Sequence, residues 1–202
     1  MKYVVGIDEV GRGALAGPVV VAAVAVPTSR FLHPRHLPKL ADSKKLSPRR
    51  RESWYAYTVA HPQLHVASAR VYQRGIDKLN ISRCANLAAS RALEKLLQKS
   101  DISHSDFDIL LDGGLYLWHK KHLYLKAKTI IRGDQKRGPI KLASIVAKVT
   151  RDRYLGTLGW RYPGYGFEQH KGYGTRMHLQ AIREKGVLEI HRRTFLGRIS
   201  ND

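Results

Sequence analysis

Three aspartates in the sequence each follow an apolar, strand-like run. Asp8 ends the first such run, Asp112 ends the fourth, and Asp134 follows the fifth. In open α/β sheets, ligands bind beyond the carboxyl ends of the strands, so acids in these positions can converge on one site. A single aspartate after a strand is most often a turn residue. Three in corresponding positions instead predict a shared acidic site.

The charge of the chain indicates what such an acidic site would need. Lysine plus arginine number 36 and aspartate plus glutamate number 16, so the net charge is +20 and polyanions are attracted. Carboxylates facing a polyanion would repel it unless a cation lay between them, and Mg²⁺ or Mn²⁺ prefers oxygen ligands. Two such ions about 3.5–4 Å apart can activate a water and stabilise the leaving oxygen of a phosphodiester. We therefore expect two-metal phosphodiester hydrolysis.

Other chemistries lack their motifs in this sequence. It contains no HExxH motif, no cysteine pair for zinc and no GxxxxGK(S/T) phosphate cradle. None of the ten histidines has an evident partner in the sequence. A zinc hydrolase and a nucleotide-driven enzyme are therefore not favoured.

Glu9 directly follows Asp8 and raises a geometric question. Neighbouring residues on a regular strand face opposite sides of the sheet. Both carboxylates can therefore face one site only if the strand ends or bulges there. Gly11 and Gly13 favour an early end, and Glu9 could instead offer its backbone carbonyl, so Asp8 is the firmer ligand.

The turn Gly11-Arg12-Gly13 holds an arginine between two residues that have no side chain. Its spacing, GRGALAG, is G-x-G-x-x-x-G, and a proline–valine strand follows, so it does not fit a dinucleotide-binding loop. Two interpretations stay open. It is either a tight turn without function or a backbone that approaches a substrate closely.

Hydrophobic periodicity predicts the elements that must position these residues. Valine-rich or alternating runs predict strands, and apolar residues at three- and four-residue steps predict helices. The predicted strands span 2–8, 17–27, 64–72, 107–114 and 126–134. The predicted helices span 48–60 after Ser47 as N-cap, 81–96 after Asn80 or Ser82, 140–158, and 175–185 as the last, with a loop over 33–47. This order predicts an α/β domain with a mixed sheet.

Length and composition favour one folded domain in a reducing compartment. A chain of 202 residues can bury a core, and its one cysteine, Cys84, excludes an internal disulfide. No apolar run approaches the roughly 18–20 residues that span a bilayer. Nucleic acid is the first candidate partner, because phosphate backbones bind basic proteins. An anionic membrane is the second, and a basic surface without a partner is the remaining alternative.

Eight segments resemble, in order, those of the ribonuclease HII family, the type 2 ribonucleases H. They are GIDEVGRGALAGPVV (6–20), DSKKLSPRRR (42–51), IDKLNI (76–81), LLDGG (110–114), GDQK (133–136), ASIVAKVTRDR (143–153), YPGYGFEQHKGYGT (162–175) and HRRTF (191–195). Each is weak alone, but eight in family order are specific and span nearly the whole chain. The run 138–142 departs from the alanine-rich segment usual at this place.

The resemblance implies an RNase H-like fold, a mixed β-sheet flanked by helices with a small C-terminal helical region. It implies an endonuclease with one catalytic domain over 1–202. The single cysteine favours the cytoplasm, and we expect a monomer without the N-terminal domain of the sister family, ribonuclease HIII, because the sequence starts at the first catalytic strand. The substrates of the endonuclease would be RNA–DNA hybrids and single ribonucleotides within duplex DNA. Cleavage would need Mg²⁺ or Mn²⁺, fall on the 5′ side of the ribonucleotide, and leave 3′-hydroxyl and 5′-phosphate ends.

The resemblance also assigns residues. The catalytic and metal-binding quartet falls on Asp8, Glu9, Asp112 and Asp134. The ribonucleotide sensor falls on Gly11, Arg12, Gly13 and Tyr173, the last in a substrate-sensing segment over about 160–202. The lysines that would contact phosphates are Lys44, Lys45 and Lys148. Backbone amides in a glycine turn can read the 2′-hydroxyl that distinguishes RNA from DNA, and a tyrosine can stack on the neighbouring sugar.

Competing interpretations of these residues are structural. The lysines could be ordinary solvated side chains, and Tyr173 could be a packed loop aromatic. Asp152 is predicted to pair with Lys148 on the helix surface at i,i+4 rather than to bind metal. Asp42 is predicted to be a turn residue.

Two other functions suit the same charge and fold. The first is a non-catalytic nucleic-acid-binding protein, although a binding module gains nothing from four carboxylates set against its polyanion. The second is another nuclease of the superfold, such as a junction resolvase or an integrase. Such a nuclease would not need a reader of the 2′-hydroxyl.

Overall fold

The described residues form one mixed β-sheet with helices on both faces. The computed structural model describes residues 2–28, 34, 36–100, 107–117 and 127–197. In these ranges the strands are β1 (Tyr3–Val10), β2 (Val19–Pro27), β3 (His65–Val71), β4 (Phe107–Asp112) and β5 (Ala127–Ile130). Their order across the sheet is β3-β2-β1-β4-β5. The predicted α/β class with a mixed sheet is confirmed.

Strand β1 lies at the centre and joins an antiparallel half of the sheet to a parallel half. It pairs antiparallel with β2, which pairs antiparallel with β3. On its other side it pairs in parallel with β4, which pairs in parallel with β5. The carboxyl ends of β1, β4 and β5 therefore meet at one end of the sheet.

Two of the strand boundaries that differ from the prediction concern the predicted acids. Strand β1 continues past Asp8 to Val10, because Asp8 and Glu9 remain paired with β2. The prediction that Asp8 ends the first strand is therefore wrong. Strand β5 ends at Ile130, so Asp134 is not part of a strand run and lies in the helix that follows.

The described part of the chain also contains eight α-helices and a short 3-10 helix. They are α1 (Pro48–Ala60), α2 (Gln73–Leu79), α3 (Ile81–Lys99), α4 (Gly133–Lys136), α5 (Gly138–Arg161), α6 (Phe167–His170), α7 (Arg176–Lys185), α8 (Arg193–Leu196) and the 3-10 helix Ser43–Lys45. Helices α1, α3 and α7 begin where the sequence predicts, within one residue. No helix in these ranges is long and apolar enough to cross a membrane.

Four of these helices, α2, α4, α6 and α8, are not predicted from the sequence. They are four to seven residues long, too short for a periodic pattern of apolar residues. Helix α8 also corrects the expectation that the helix over 175–185 is the last. Position 126 of the predicted fifth strand, and positions 33 and 35 of the predicted loop, lie outside the described residues.

Helices α3 and α5 cover opposite faces of the sheet. Val5 and Ile7 of β1 pack with α3 in one core cluster. Ala22 and Val24 of β2 pack with α5 and Trp54 of α1 in a second cluster. The alternating faces of neighbouring strands therefore bury two separate apolar layers.

Gly6 determines how closely α5 approaches β1. A Cβ at this position would lie 2.1 Å from the carbonyl carbon of Pro139 in the first turn of α5. Only a residue without a side chain allows this contact. The helix therefore lies directly against β1, and its next turns bring Ser144 and Lys148 to the cavity that Asp8 lines.

A third core cluster holds the C-terminal segment against the end of α5. Leu155 of α5 packs with Tyr165, Phe167 and Ile190. Ala16, in the glycine turn (residues 11–17), belongs to the same cluster. The glycine turn and the segment that contains Tyr173 are therefore anchored in one packed unit.

Candidate active site

One cavity brings the four predicted carboxylates together. Its volume is about 390 Å³, and it is lined by Asp8, Glu9, Val10, Ser43, Lys44, Asp112, Asp134, Ser144, Lys148 and Tyr173. Strand β1 supplies Asp8 and Glu9, β4 supplies Asp112, and α4 supplies Asp134. The acids therefore converge at the end of the sheet, as their positions in the sequence predict.

Glu9 reaches this cavity although β1 neither ends nor bulges there. Strand β1 pairs with β4 only as far as Ile7 and Leu111. Beyond Ile7, the strand has no paired neighbour on that side among the described residues. The Glu9 side chain can therefore border the same cavity as Asp8 from a regular strand, and the expected interruption of the strand is wrong.

Hydrogen bonds fix Asp112 relative to Asp134. Asp112 Oδ1 accepts from the backbone N–H of Gly133 at 2.6 Å and from that of Asp134 at 3.2 Å. A Cβ on Gly133 would lie 2.4 Å from Cδ1 of Ile140 and 3.2 Å from the same Asp112 oxygen, so this approach requires a glycine. The Asp112 carboxylate thus binds the first turn of α4 and sets the position of Asp134.

Asp8 is held from its own strand and from α5. Its Oδ1 accepts from the backbone N–H of Glu9 at 2.8 Å. The nearby Ser144 hydroxyl acts to lower the pKa of this carboxyl group, against the larger effects that raise it. Ser144 Oγ in turn lies 2.8 Å from Ser43 Oγ, next to Lys44. These contacts link the first acid to two of the other segments that line the cavity.

The acids raise one another's affinity for protons. Burial, followed by the charges of Glu9 and Asp112, raises the pKa of Asp8 well above its ordinary value. Burial also raises the pKa of Glu9, against the opposing effect of Arg12. The pKa of Asp134 is raised by burial and by Asp112. A cation among these groups would offset both the desolvation and the repulsion.

The donor set fits a hard divalent cation that is shared with a substrate. Glu9 Oε2 is buried without a hydrogen-bond partner, whereas Glu9 Oε1 lies 3.5 Å from Arg12 Nη1. Among the described residues, no three His, Cys, Asp or Glu side chains form a metal-binding group by themselves. Mg²⁺ is usually held by one or two carboxylates with waters and substrate phosphates. The cavity suits that mode rather than an all-protein cage.

The three lysines predicted to contact phosphates occupy different surroundings. Lys44 lines the cavity. Lys148 also lines it, but its Nζ donates to Asp152 Oδ1 at 2.9 Å, the i,i+4 pair predicted from the sequence. Lys45 lies instead in a neighbouring groove of about 370 Å³. The other basic residues of that groove are Lys39, Arg50 and Lys141.

Gly11 and Gly13 of the glycine turn have different surroundings. Gly11 has a φ of +89°, and a Cβ there would lie 2.3 Å from Nε of Arg151. Gly13 is exposed, and a Cβ there would meet no described atom within 4 Å. The Arg12 side chain points toward Glu9 and donates to Ser82 Oγ at 3.0 Å. The close approach at Gly11 is therefore made by the protein itself, and the open backbone is at Gly13.

Tyr173 lies between the cavity and the glycine turn. Its backbone forms an antiparallel bridge with Ala14, and the neighbouring Gly172 carbonyl accepts from the N–H of Leu15 at 2.8 Å. The centroid of its ring is 5.3 Å from the guanidinium carbon of Arg151. The residues predicted to form the sensor are thus brought together, with Tyr173 also facing the acids.

Comparison with protein families shows where this arrangement belongs. A family model described as Ribonuclease HII matches residues 5–197. The chain belongs to the ribonuclease HII family. Ribonuclease HII from Fusobacterium nucleatum is 43% identical over 199 residues, which cover 98% of this chain and 87% of the relative. Family membership makes the protein a ribonuclease H-type endonuclease and a hydrolase, which rules against a non-catalytic binding protein.

Solved structures share the fold over most of the chain. The crystal structure of ribonuclease H2 from Pyrococcus horikoshii matches with a TM-score of 0.71 and 25% identity, covering 99% of this chain and 100% of that one. The structure of Bst-RNase HIII in complex with Mn²⁺ matches with a TM-score of 0.62 and 19% identity, covering 92% and 63% respectively. The second likeness shows the fold alone. The expected RNase H-like fold is confirmed.

Several residues that organise this ribonuclease HII cavity do not stand out in the sequence. Ser43 and Ser144 lie within the lysine-containing motifs, but a serine in a helix carries no chemical signal by itself. Arg151 carries a usable signal, because it lies four residues before the buried Leu155 on the apolar stripe of α5. Arg192 lies in the HRRTF segment, where nothing in the local pattern indicates that it is buried.

Proposed function

We propose that the protein hydrolyses the RNA strand of RNA–DNA hybrids and cuts at single ribonucleotides embedded in duplex DNA. The cut leaves 3′-hydroxyl and 5′-phosphate ends. One observation carries this proposal: four carboxylates share one cavity in a chain of net charge +20. Carboxylates that face a polyanion hinder its binding, so their presence in a basic protein is best explained by chemistry on the phosphate.

The residues that would hold Mg²⁺ or Mn²⁺ are Asp8, Glu9, Asp112 and Asp134. When bound, two such ions activate the attacking water and stabilise the leaving 3′-oxygen. The hydrogen bonds to Oδ1 of Asp8 and of Asp112 fix both carboxyl groups and leave a second oxygen on each for the cation. The unpartnered Glu9 Oε2 supplies a further acceptor.

The basic residues would align the nucleic-acid backbone with this cavity. Lys44 is exposed at the rim of the cavity and would contact a phosphate near the cut. Lys148 would do so in exchange for part of its contact with Asp152. Lys45 would contact phosphates farther from the acids, in the groove that it shares with Lys39 and Lys141.

The glycine turn and Tyr173 would select the ribonucleotide. The exposed backbone at Gly13 is open to a sugar, and a backbone N–H or carbonyl there can pair with the 2′-hydroxyl, which is both donor and acceptor. Tyr173, which lines the cavity beside the turn, would stack on the neighbouring deoxyribose. Arg12 would act indirectly, by orienting Glu9.

We propose a cytoplasmic monomer with a single catalytic domain, which removes ribonucleotides from DNA during replication and repair. A buried, unpaired Cys84 suits a reducing compartment. The segment from about residue 160 would serve the sensor, in keeping with its packing against Ala16.

Cleavage of matched duplexes tests this function. End-labelled DNA duplexes with zero, one and several consecutive ribonucleotides are incubated with the enzyme and Mg²⁺ or Mn²⁺, and the products are mapped. We expect cuts on the 5′ side of the ribonucleotide in the second and third substrates, and ligatable 3′-hydroxyl ends. An intact single-ribonucleotide duplex, or equal cutting of the all-DNA duplex, would overturn the proposal.

A further inference from the structure

Two arginines are buried without an acidic partner. Arg151 of α5 and Arg192, just before α8, are each 0% exposed. Neither forms an ion pair with a carboxylate in the part of the chain that the structure describes. Charged side chains are almost never fully buried unless they are paired, because desolvation of an ion is costly. Retention of both charges therefore needs a specific reason.

Five of their six side-chain nitrogens donate to backbone carbonyls of two loops, and Nη2 of Arg192 has no hydrogen-bond partner in the described part of the chain. Arg151 donates to the carbonyls of Pro18 at 3.0 Å, Ala16 at 3.0 Å and Lys171 at 2.8 Å. Arg192 donates to the carbonyls of Gly17 at 3.0 Å and Arg12 at 2.8 Å. Four of these five acceptors lie in or next to the glycine turn, and the fifth lies two residues before Tyr173.

Arg151 also fills the space between the glycine turn and the tyrosine. Its Nε is the atom that a Cβ on Gly11 would meet at 2.3 Å. Its guanidinium carbon lies 5.3 Å from the centroid of the Tyr173 ring, within the range of cation–π contact. One guanidinium group thus touches both halves of the proposed ribonucleotide sensor.

We propose that Arg151 and Arg192 are positioning residues that clamp the glycine turn onto the tyrosine loop, and so set the geometry with which the enzyme reads a 2′-hydroxyl. The proposal rests on the sensing function proposed above for Gly13 and Tyr173. It adds two residues that touch no substrate and act through the backbone of the residues that do.

The chemistry of arginine explains why this residue type is used. Its planar guanidinium presents several N–H donors in a fixed fork, which a lysine ammonium cannot reproduce at the same site. Hydrogen bonds from a charged donor are also stronger than neutral ones. Burial lowers the pKa of both groups, and a pKa of about 9 still leaves Arg192 a cation near neutral pH.

The first test compares one substitution at two positions of α5. Arg151→Lys keeps the charge but loses the fork, whereas Arg153→Lys makes the same change at an exposed site that pairs with Glu52. The readouts are kcat and KM for a DNA duplex with one ribonucleotide. We expect Arg151→Lys to lower kcat about 10-fold or more, the value of one lost hydrogen bond to a charged group, with a smaller change in KM. Arg153→Lys should match the wild type, and equal kcat values for the two variants would overturn the proposal.

A double-mutant cycle separates positioning from general stability. We expect Arg151→Lys to cost much less in a Tyr173→Ala background than in the wild type, because the residue that it positions is already gone. An equal loss in both backgrounds overturns the clamp. If Tyr173→Ala itself leaves cleavage unchanged, the sensing function fails instead, and the two failures are distinguishable.

Arg192→Lys keeps the proposal testable if Arg151→Lys does not fold. It removes two of the five hydrogen bonds, and we expect a smaller fall in kcat with the same dependence on Tyr173. Thermal unfolding establishes that each variant is folded at the assay temperature. If neither lysine variant is folded, the arginines serve the core and not the sensor, and the proposal is wrong.

Discussion

The two glycines beside Arg12 differ in their surroundings, and this difference predicts different outcomes for the same substitution. Gly11→Ala introduces a Cβ at positive φ and against Arg151. We expect it to lower the free energy of unfolding by about 1–3 kcal/mol or more. Gly13→Ala meets no described atom, so we expect a change within about 0.5 kcal/mol.

When cleavage is measured on folded protein, we expect Gly13→Ala to lose more activity than Gly11→Ala. Folded Gly13→Ala should lose most cleavage at a single ribonucleotide, because its methyl group occupies the open side of the turn. Chemical denaturation and cleavage rates measured on both variants check this contrast. A fully active Gly13→Ala enzyme would mean that the substrate does not approach this backbone.

We expect the Asp8 carboxylate to lower the free energy of unfolding when no metal is bound. Burial and two acidic neighbours raise its pKa, so its ionised form is disfavoured in the folded protein. This penalty grows as the pH rises through the raised pKa and is largest above it. We expect Asp8→Asn to raise the Tm in EDTA near neutral pH by about 2–4 °C for each kcal/mol of relief.

The metal dependence of the Tm supplies the control for this prediction. Mg²⁺ or Mn²⁺ should raise the Tm of the wild type and of Asp108→Asn, an exposed acid on β4 that does not line the cavity. The increase should be much smaller for Asp8→Asn. An Asp8→Asn protein that is less stable in EDTA than the wild type would contradict the account of this carboxylate.

At the scale of elements, the sequence predicts those helices and caps that depend on residues close together in the chain. The apolar spacing of α3 and its Asn80 cap, which accepts from the Arg83 N–H at 3.0 Å, are both evident in the sequence. The position of Asp134 is not, because α4 begins where Asp112, 22 residues earlier in the chain, binds its first N–H groups. The extension of β1 through Glu9 is likewise decided by pairing with β2. Contacts distant in sequence account for these differences.

The contacts of the histidines likewise depend on residues that are distant in the sequence, so the sequence alone does not predict them. His178 and His191 appear isolated in the sequence, yet their Nε2 atoms lie 3.1 Å apart in the C-terminal segment. His178 Nδ1 faces the Tyr173 carbonyl at 3.0 Å and therefore donates to it. His191 Nδ1 accepts from the Leu188 N–H at 2.9 Å, so its Nε2–H donates to His178. Both rings are neutral in this arrangement, and they hold the backbone of Tyr173.

This histidine pair predicts acid sensitivity of the C-terminal segment. Burial lowers the pKa of His178 to about 4 from an ordinary 6.5, and burial also lowers that of His191. Below pH 6.5 the unfolded chain takes up protons that the folded chain refuses, so stability is lost as the pH falls from 6.5 toward 4. Above pH 6.5 this contribution is constant.

The contribution of the histidine pair to stability is measured by comparing how the Tm of different variants changes between pH 7.5 and about 5. His178→Asn keeps a donor near the Tyr173 carbonyl but cannot titrate, so its Tm should fall less steeply with acid than that of the wild type. His36→Gln, at an exposed site, should keep the wild-type slope. Equal slopes for His178→Asn and the wild type would show that the pair does not titrate on unfolding.

At the scale of the whole molecule, the net charge of +20 should dominate affinity for nucleic acid. We expect log Kobs for a ribonucleotide-containing duplex to fall linearly and steeply with log salt concentration. Lys45→Gln should reduce the slope by about 1, because Lys45 lies in the basic groove beside the cavity. Lys99→Gln, at the end of α3 on the other face of the sheet, should not change it.

Binding measured with the inactive Asp8→Asn enzyme avoids cleavage during this titration. A flat dependence on salt would mean that the basic surface is not the binding face. Equal slopes for Lys45→Gln and Lys99→Gln would mean that the groove lies off the path of the duplex. The charge thus brings the substrate to the protein, whereas the acids and the sensor decide what is cut.

We expect the carboxylates of one cavity to support hydrolysis of the phosphodiester beside a ribonucleotide. The rate at which Asp8→Asn cuts a single-ribonucleotide duplex in Mg²⁺ tests it most directly, with wild type and Asp108→Asn alongside. We expect no detectable cleavage by Asp8→Asn with binding intact or tighter, and wild-type rates for Asp108→Asn. Cleavage by Asp8→Asn at the wild-type rate would contradict the claim.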